Sequence, residues 1–345
     1  MAIAELSAPR RFRLRENDLA SPPPGQVQVR VAAVGICGSD LHYFAEGHTG
    51  DTPAKYPMVL GHEPAGTVLR LGAGVSGWTA GDRVALEAPI YCYHCEFCMS
   101  GRHNLCDHVR FMSSPTEPGF FRDRVNLPAE NLLPLPANLD FAEASLWEPA
   151  GIILHSFRFA EPKLGETAAV FGAGPIGLTT IAALKLAGAR RIWCVEPVAH
   201  RRELALRLGA DEAIDPVQAD PVREVLAGTG QRGVDLAIDC AGIGGSINQA
   251  IRMARSAGRV VVTAVPSEQL VAIEFHTMRR KELGFHTVRR ANRTGHAALE
   301  MLSQYPQRFT PMVTHRMMLA DVQRAFETLE SYSDGVGKIV LLPEA

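Results

Sequence analysis

Hydrophobic and polar positions change their rhythm along the chain. Residues 26–34 carry the alternation Gln-Val-Gln-Val-Arg-Val, the period of two that marks a half-buried strand. Ala65–Leu71 and Asp82–Leu86 have similar β character between glycine-rich turns. The first 150 residues therefore read as mainly β with irregular loops. From about residue 166 short apolar runs alternate with Ala/Leu-rich helical stretches. The strand candidates are Ala168–Phe171, Arg191–Glu196, Glu212–Asp215, Val234–Asp239, Arg259–Ala264 and Leu283–Val288. That alternation predicts an α/β unit with a six-stranded, parallel, doubly wound sheet. Beyond Gly295 come a helical run, a break beside Pro311, a helix near Leu319–Tyr332 and a last strand, Gly337–Leu342. Six strands already complete such a sheet, so the tail is assigned back to the first domain. The expected division is 1–150, 151–290 and a returning segment, 291–345.

The longest uncharged stretch, Thr167–Leu184, approaches membrane-span length. Gly172, Gly174, Pro175 and Gly177 interrupt it, so a strand, a tight turn and a buried helix are expected there. Residues 1–7 lack the charged start and apolar run of a signal peptide, which makes the cytoplasm the default expectation. Lys plus Arg number 35 and Asp plus Glu 37, a balance that gives no electrostatic reason for a nucleic-acid or anionic-membrane partner. The cluster Arg10, Arg11, Arg13 and Arg15 reads as solvated surface. A small-molecule partner remains.

Three constellations carry chemistry. Gly172-Ala173-Gly174-Pro175-Ile176-Gly177 follows a strand and opens a helix, the setting in which glycines let backbone N–H groups approach a pyrophosphate. Glu196 ends the next strand, where an acidic side chain accepts hydrogen bonds from adenosine ribose hydroxyls and repels a 2′-phosphate. NAD is thus favoured over NADP, with Arg201 and Arg202 close by. Cys92, Cys95, Cys98 and Cys106 have the donor set of a closed structural zinc site, with an iron–sulfur cluster as the competing reading. Four sulfurs fill that sphere, so His94, His103 and His108 are expected to face solvent. Cys37 with Gly61-His62-Glu63 suggests a second metal site.

With Gly35-Ile36-Cys37-Gly38-Ser39-Asp40-Leu41-His42-Tyr43, the four-cysteine lobe at about 90–107 and Glu148-Pro149, these motifs give a chain that resembles the zinc-dependent medium-chain dehydrogenase/reductase superfamily. The resemblance spans essentially the whole length and is nearest the polyol branch, the sorbitol and xylitol dehydrogenases. It implies a GroES-like, mainly-β catalytic domain with an inserted Rossmann domain, two zinc ions per chain and NAD. It also implies Cys37 and His62 as ligands of a catalytic zinc, completed by Glu63 or Glu148, with Asp40 orienting His62. Ser39 and His42 would form a proton relay, and Tyr43, Phe111, Glu148 and Arg290 the substrate pocket. Cofactor contacts would come from Gly172, Gly174, Pro175, Ile176, Gly177, Glu196, Arg201, Val265 and Val288. Glutamate at position 148, where simple alcohol dehydrogenases have cysteine, points to the polyol branch. Trp147 and Arg289-Arg290-Ala291 depart from that branch's pattern.

The activity implied is reversible oxidation of a secondary hydroxyl of a sorbitol-, xylitol-, L-iditol- or galactitol-like polyol to a ketose. The alternative is a 2,3-butanediol or L-threonine 3-dehydrogenase activity. Zinc-free reductases and structural members of the superfamily should lack the cysteine lobe and the Cys37/His62 pair, and both are present here. A homotetramer is expected, or else a dimer.

Overall fold

The computed structural model describes residues 2–16 and 18–343. Met1, Asn17, Glu344 and Ala345, which include both ends of the expected catalytic segments, lie outside the described residues. The chain divides into two compact units, Met1–Gly151 with Asn292–Ala345, and Ile152–Ala291.

The first unit is organised by the strand Gln26–Gly35, whose alternate residues Val27, Val29 and Val31 are fully buried. Seven strands form its main sheet. Leu132–Pro134, Arg83–Leu86, Glu63–Leu71, Gln26–Gly35, Lys338–Leu342 and Val313–Met318 follow in spatial order, and Arg124–Pro128 also pairs with Gln26–Gly35. The last strand enters antiparallel and in register, Val340 opposite Gly35 and Leu341 opposite Val34, so its first residue, Lys338, lies beside the approach to Cys37. Val313–Met318, with only intermediate or exposed positions, pairs parallel to Lys338–Leu342 and was not expected from the pattern.

A second unexpected feature is the hairpin of Ala2–Ala8 with Arg11–Glu16. The arginines expected to be merely solvated are structural: Arg13 and Arg15 both bind the buried carboxylate of Glu5, and Arg10 pairs with Glu330. The side chains of all three nonetheless stay in contact with water.

In the second unit six strands lie in the order Glu212–Ile214, Arg191–Val195, Thr167–Phe171, Val234–Asp239, Ala254–Val262 and Gly284–Thr287. Every pairing is parallel, and relative to the chain the order is the doubly wound Rossmann arrangement. Burial on both faces explains why the central strands, Arg191–Val195, Thr167–Phe171 and Val234–Asp239, read as largely apolar runs. The uncharged stretch resolves into Thr167–Phe171, a turn, and the helix Pro175–Leu186. Gly177 is required by the close approach of helix to turn, because a Cβ there would stand 1.9 Å from the carbonyl oxygen of Gly172. Among the described residues no helix is long and apolar enough to cross a membrane.

Candidate metal and nucleotide sites

Cys37 sits at the N-terminal boundary of the helix Gly38–Ala45, and Asp40, three residues on, turns its carboxylate back to accept the Cys37 N–H through Oδ2 at 3.1 Å. The other oxygen, Oδ1, accepts the N–H of Gly61 at 3.2 Å and the hydroxyl of Ser113 at 3.0 Å, and stands 3.4 Å from Nδ1 of His62. One buried carboxylate thus fastens three segments of chain. The ligand atoms of Cys37, His62 and Glu63 all lie within 4.8 Å of one another.

Burial alone would lower the pKa of His62, but the charges of Asp40 and Cys37 beside it prevail and hold it well above its ordinary value. Burial likewise opposes ionisation of Asp40, yet His62 and the N–H groups of Cys37 and Gly61 hold that carboxyl below the usual range. A half-buried thiol with a buried imidazole and carboxylate so arranged favours a cation among them, and this mixed S, N and O set is one zinc accepts. With Nδ1 facing Asp40, Nε2 is the ring nitrogen left for a metal.

The two carboxylates differ. Glu63 opens the strand Glu63–Leu71 and is paired through Oε2 with the ammonium of Lys338, whose side chain is wholly buried and also donates to the carbonyl of Ile36 at 2.9 Å. Gly35 makes room for this pair, since a Cβ there would fall 2.0 Å from Glu63 Oε2 and 2.8 Å from Lys338 Cε. Glu148 lies in the first turn of the helix Trp147–Ala160. Its carboxyl is pushed up to about 7, chiefly by burial and further by Glu63, while His62 and Lys338 pull the other way. Trp147 ties that helix to the strand, its indole N–H donating to the carbonyl of Pro64 at 3.2 Å.

Phe111 packs on His62 with ring centroids 5.6 Å apart. Two residues on, Ser113 has a left-handed backbone (φ +81°), which costs a non-glycine residue about 1–3 kcal/mol. Tyr43 is buried on the helix that follows Cys37, and burial raises its phenol pKa. Ser39 is half-buried, and His42, three residues further and so on the same helix face, reaches the surface with Nδ1 2.9 Å from Glu46 Oε1. Arg290 belongs to the second unit, half-buried and just past the strand Gly284–Thr287. Val265 and Val288 lie in that unit too, Val265 exposed and the Val288 N–H bonded to Val262.

Cys92, Cys95, Cys98 and Cys106 converge, with Sγ–Sγ distances of 3.9 Å for Cys92–Cys98 and 3.5 Å for Cys106–Cys92. Backbone N–H groups bring the Cys95 thiol down to about 6, whereas burial and the neighbouring thiols push Cys98 up to about 12. Such crowding of four thiols suits a cation that replaces their protons. His94 and His108 are exposed, as expected, but His103 is buried. Its Nε2 lies 2.9 Å from Arg293, its N–H donates to Asn292 at 3.2 Å, and its ring abuts Tyr91 and Tyr93. This histidine clasps the lobe to the returning segment, a job invisible from spacing alone.

In the second unit the glycine turn and Glu196 meet. Glu196 Oε2 accepts the N–H of Ala173 at 2.7 Å, and Oε1 that of Val198 at 2.9 Å. Pro175 and Ile176 begin the helix whose N-terminal boundary is Gly174. Arg202 is committed elsewhere, to Asp215 at 3.2 Å and to the carbonyls of Glu196 and Pro197.

Sequence reasoning overlooked Lys338 and Ser113. A signal existed for the first, a lysine within the apolar run Lys-Ile-Val-Leu-Leu. None marks Ser113.

Residues 23–137 match the family model of the alcohol dehydrogenase GroES-like domain, and residues 175–304 that of zinc-binding dehydrogenase. Sorbitol dehydrogenase of Homo sapiens is 34% identical over 336 residues, covering 97% of this chain and 93% of its own. The crystal structure of 2R,3R-butanediol dehydrogenase from Bacillus subtilis superposes with a TM-score of 0.88 at 30% identity, over 99% of each chain. A short chain alcohol dehydrogenase from Escherichia coli CFT073, complexed with cofactor NADH, gives a TM-score of 0.91 at 28% identity, again over 99% of each chain.

Proposed function

The chain belongs to the zinc-dependent medium-chain dehydrogenases, and from that premise we propose that it oxidises a secondary hydroxyl of a polyol to a ketose, reversibly, with NAD. The first unit serves as the catalytic domain and the second as the NAD-binding domain. The observation that carries this reading is the convergence of Cys37, His62 and Glu63 within 4.8 Å, beside the raised carboxyl of Glu148. These three residues would hold the catalytic zinc, and the four cysteines a structural one. Zinc held there would supply Lewis acidity toward a substrate hydroxyl, and a bound nicotinamide would supply the hydride acceptor.

The chain's own residues do the rest. Asp40 fixes the His62 ring through Nδ1, so that the ring presents Nε2. Glu148, a carboxyl beside His62 and Glu63, is the group assigned to hold or move a proton at the site. Ser39 and His42 lead from the helix start to solvent, and His42, with Glu46 at its Nδ1, can pass a proton outward. Glu148, Tyr43, Phe111 and Arg290 are assigned to the substrate, whose remaining hydroxyls need polar partners for selectivity over a bare alkyl chain. Glu196, Gly172, Gly174, Pro175, Ile176, Gly177, Arg201, Val265 and Val288 are assigned to the cofactor. A cytoplasmic homotetramer completes the proposal.

The likeness to 2R,3R-butanediol dehydrogenase at 30% identity supports vicinal diols as the second reading. An NAD-reduction screen over sorbitol, xylitol, galactitol, L-iditol, 2,3-butanediol and L-threonine separates the two. The highest kcat/KM on a polyol is expected, and the highest on 2,3-butanediol or L-threonine overturns the substrate class.

A further inference from the structure

Ser113 is 4% exposed and holds a left-handed backbone that glycine would adopt freely. The turn itself asks for no side chain at this point. The N–H groups of Ser113 and Ser114 both donate to the carbonyl of Glu117, at 3.0 and 3.1 Å. The Glu117 carboxylate in turn grips Arg110 through two hydrogen bonds, of 2.6 and 3.1 Å. What a serine adds is its hydroxyl, donated to Asp40 Oδ1 at 3.0 Å across 73 positions of chain. That oxygen is the one that faces His62 Nδ1.

We propose that Ser113 is a positioning residue for the metal centre, locking the Asp40 carboxylate in the plane that orients His62. The proposal rests on the reading of Cys37, His62 and Glu63 as zinc ligands. Its logic is rotational. The N–H of Cys37 pins Oδ2, and the N–H of Gly61 together with the Ser113 hydroxyl pins Oδ1. Removing the hydroxyl leaves one backbone N–H on each oxygen, that of Cys37 on Oδ2 and that of Gly61 on Oδ1, and loosens the hold on the carboxylate's tilt toward the imidazole. The ring is then held less firmly by the partner that decides which nitrogen carries the proton. The same loop lays Phe111 on His62, so one strained hairpin both covers the ring and steadies its carboxylate.

Two variants separate this role from a merely structural one. Ser113→Ala removes the hydroxyl and keeps the strain, whereas Ser113→Gly removes both. Zinc affinity is measured on the full chain by chelator competition, and the visible spectrum is recorded after cobalt(II) replaces the zinc. Both variants should bind the catalytic zinc about tenfold more weakly, at the low end of the roughly 10–100-fold range for partners of metal ligands. The cobalt bands should shift in both. Metal-free Ser113→Gly should nonetheless melt no lower than wild type. Wild-type zinc affinity and an unchanged cobalt spectrum in Ser113→Gly overturn the proposal. Cys37→Ser is the control: if it retains as much zinc as wild type, the ligand reading falls and this inference with it. If Cys37→Ser loses that zinc while Ser113→Gly binds it like wild type, only the role of Ser113 falls.

Discussion

Replacing Lys338 with methionine tests the electrostatics of the site most sharply. The ammonium is 0% exposed and its partner Glu63 is 1% exposed, so neither charge has water to fall back on. Methionine keeps most of the side-chain volume and deletes the charge. In metal-free protein the Glu63 carboxylate would then be buried without compensation, which costs about 3–5 kcal/mol. Loss of the donor to the Ile36 carbonyl acts in the same direction. For a cooperative unit of roughly 200 residues, where 1 kcal/mol moves Tm by about 2–4 °C, the expected fall is about 6–20 °C. Glu63→Gln alone should also destabilise, because it strands the lysine. The double variant should cost clearly less than the sum of the two, since no buried charge is left unpaired. Calorimetry on wild type, both single variants and the double variant, all stripped of metal in the same way, gives the cycle. Restoring zinc should raise the Tm of Lys338→Met more than that of wild type, because the ion replaces the missing positive charge. Losses that simply add in the double variant, or a Lys338→Met protein melting with wild type, would refute the reasoning.

Cys98→Ser should reduce bound zinc from two ions to one and lower Tm, while Cys37→Ser should reduce zinc equally but leave Tm much closer to wild type; equal Tm losses contradict the division of roles. Burial pushes the carboxyls of Glu148 and Glu87 up to about 7, so each binds its proton more tightly in the folded than in the unfolded chain. Their contribution to stability is complete at acidic pH and is lost as pH rises through about 7; Glu148→Gln should therefore flatten the decline in urea midpoint of metal-free protein between about pH 5 and 8, and an unchanged slope counts against it. Glu196→Ala should weaken NAD binding by about tenfold, the worth of a hydrogen bond or two. With Arg202 already committed to Asp215, it should not by itself create an efficient NADP enzyme, and wild-type kcat/KM with NADP equal to that with NAD would sink the assignment.

The second unit was the more legible part of the fold because its central parallel strands, buried on both faces, leave largely apolar runs at a regular spacing. All six runs are strands, although Ala254–Val262 begins earlier than expected, through Arg255 and Ser256, polar residues that hydrophobic pattern alone discards. Val313–Met318 and Arg11–Glu16 escaped notice for the opposite reason, as partly exposed edge strands rich in polar or charged residues. Within the candidate sites, residue type and motif spacing pointed to Cys37, His62, Glu63 and the four cysteines. They could not assign partners to Lys338, whose apolar run at least marks it as unusual, or single out His103 or Ser113, because those partners lie far away in sequence. Chemistry confined to one short segment leaves a local trace, whereas charge balance and orientation arise only when distant segments meet.

The placement of Lys338 also sets an order of events during synthesis. The strand Gln26–Gly35 and the residues Cys37, His62 and Glu63 emerge early, but the strand that completes the hydrogen bonding of Gly35 and Val34 is Lys338–Leu342. Between them the ribosome must make the whole of Ile152–Ala291, a contiguous unit with its own sheet and core. At about 5–20 residues per second, that unit has many seconds to fold while the earlier segment waits for its last strand. During that interval Glu63 has no lysine beside it. Neutralisation of the Glu63 carboxylate from within the chain therefore waits until the last strand docks.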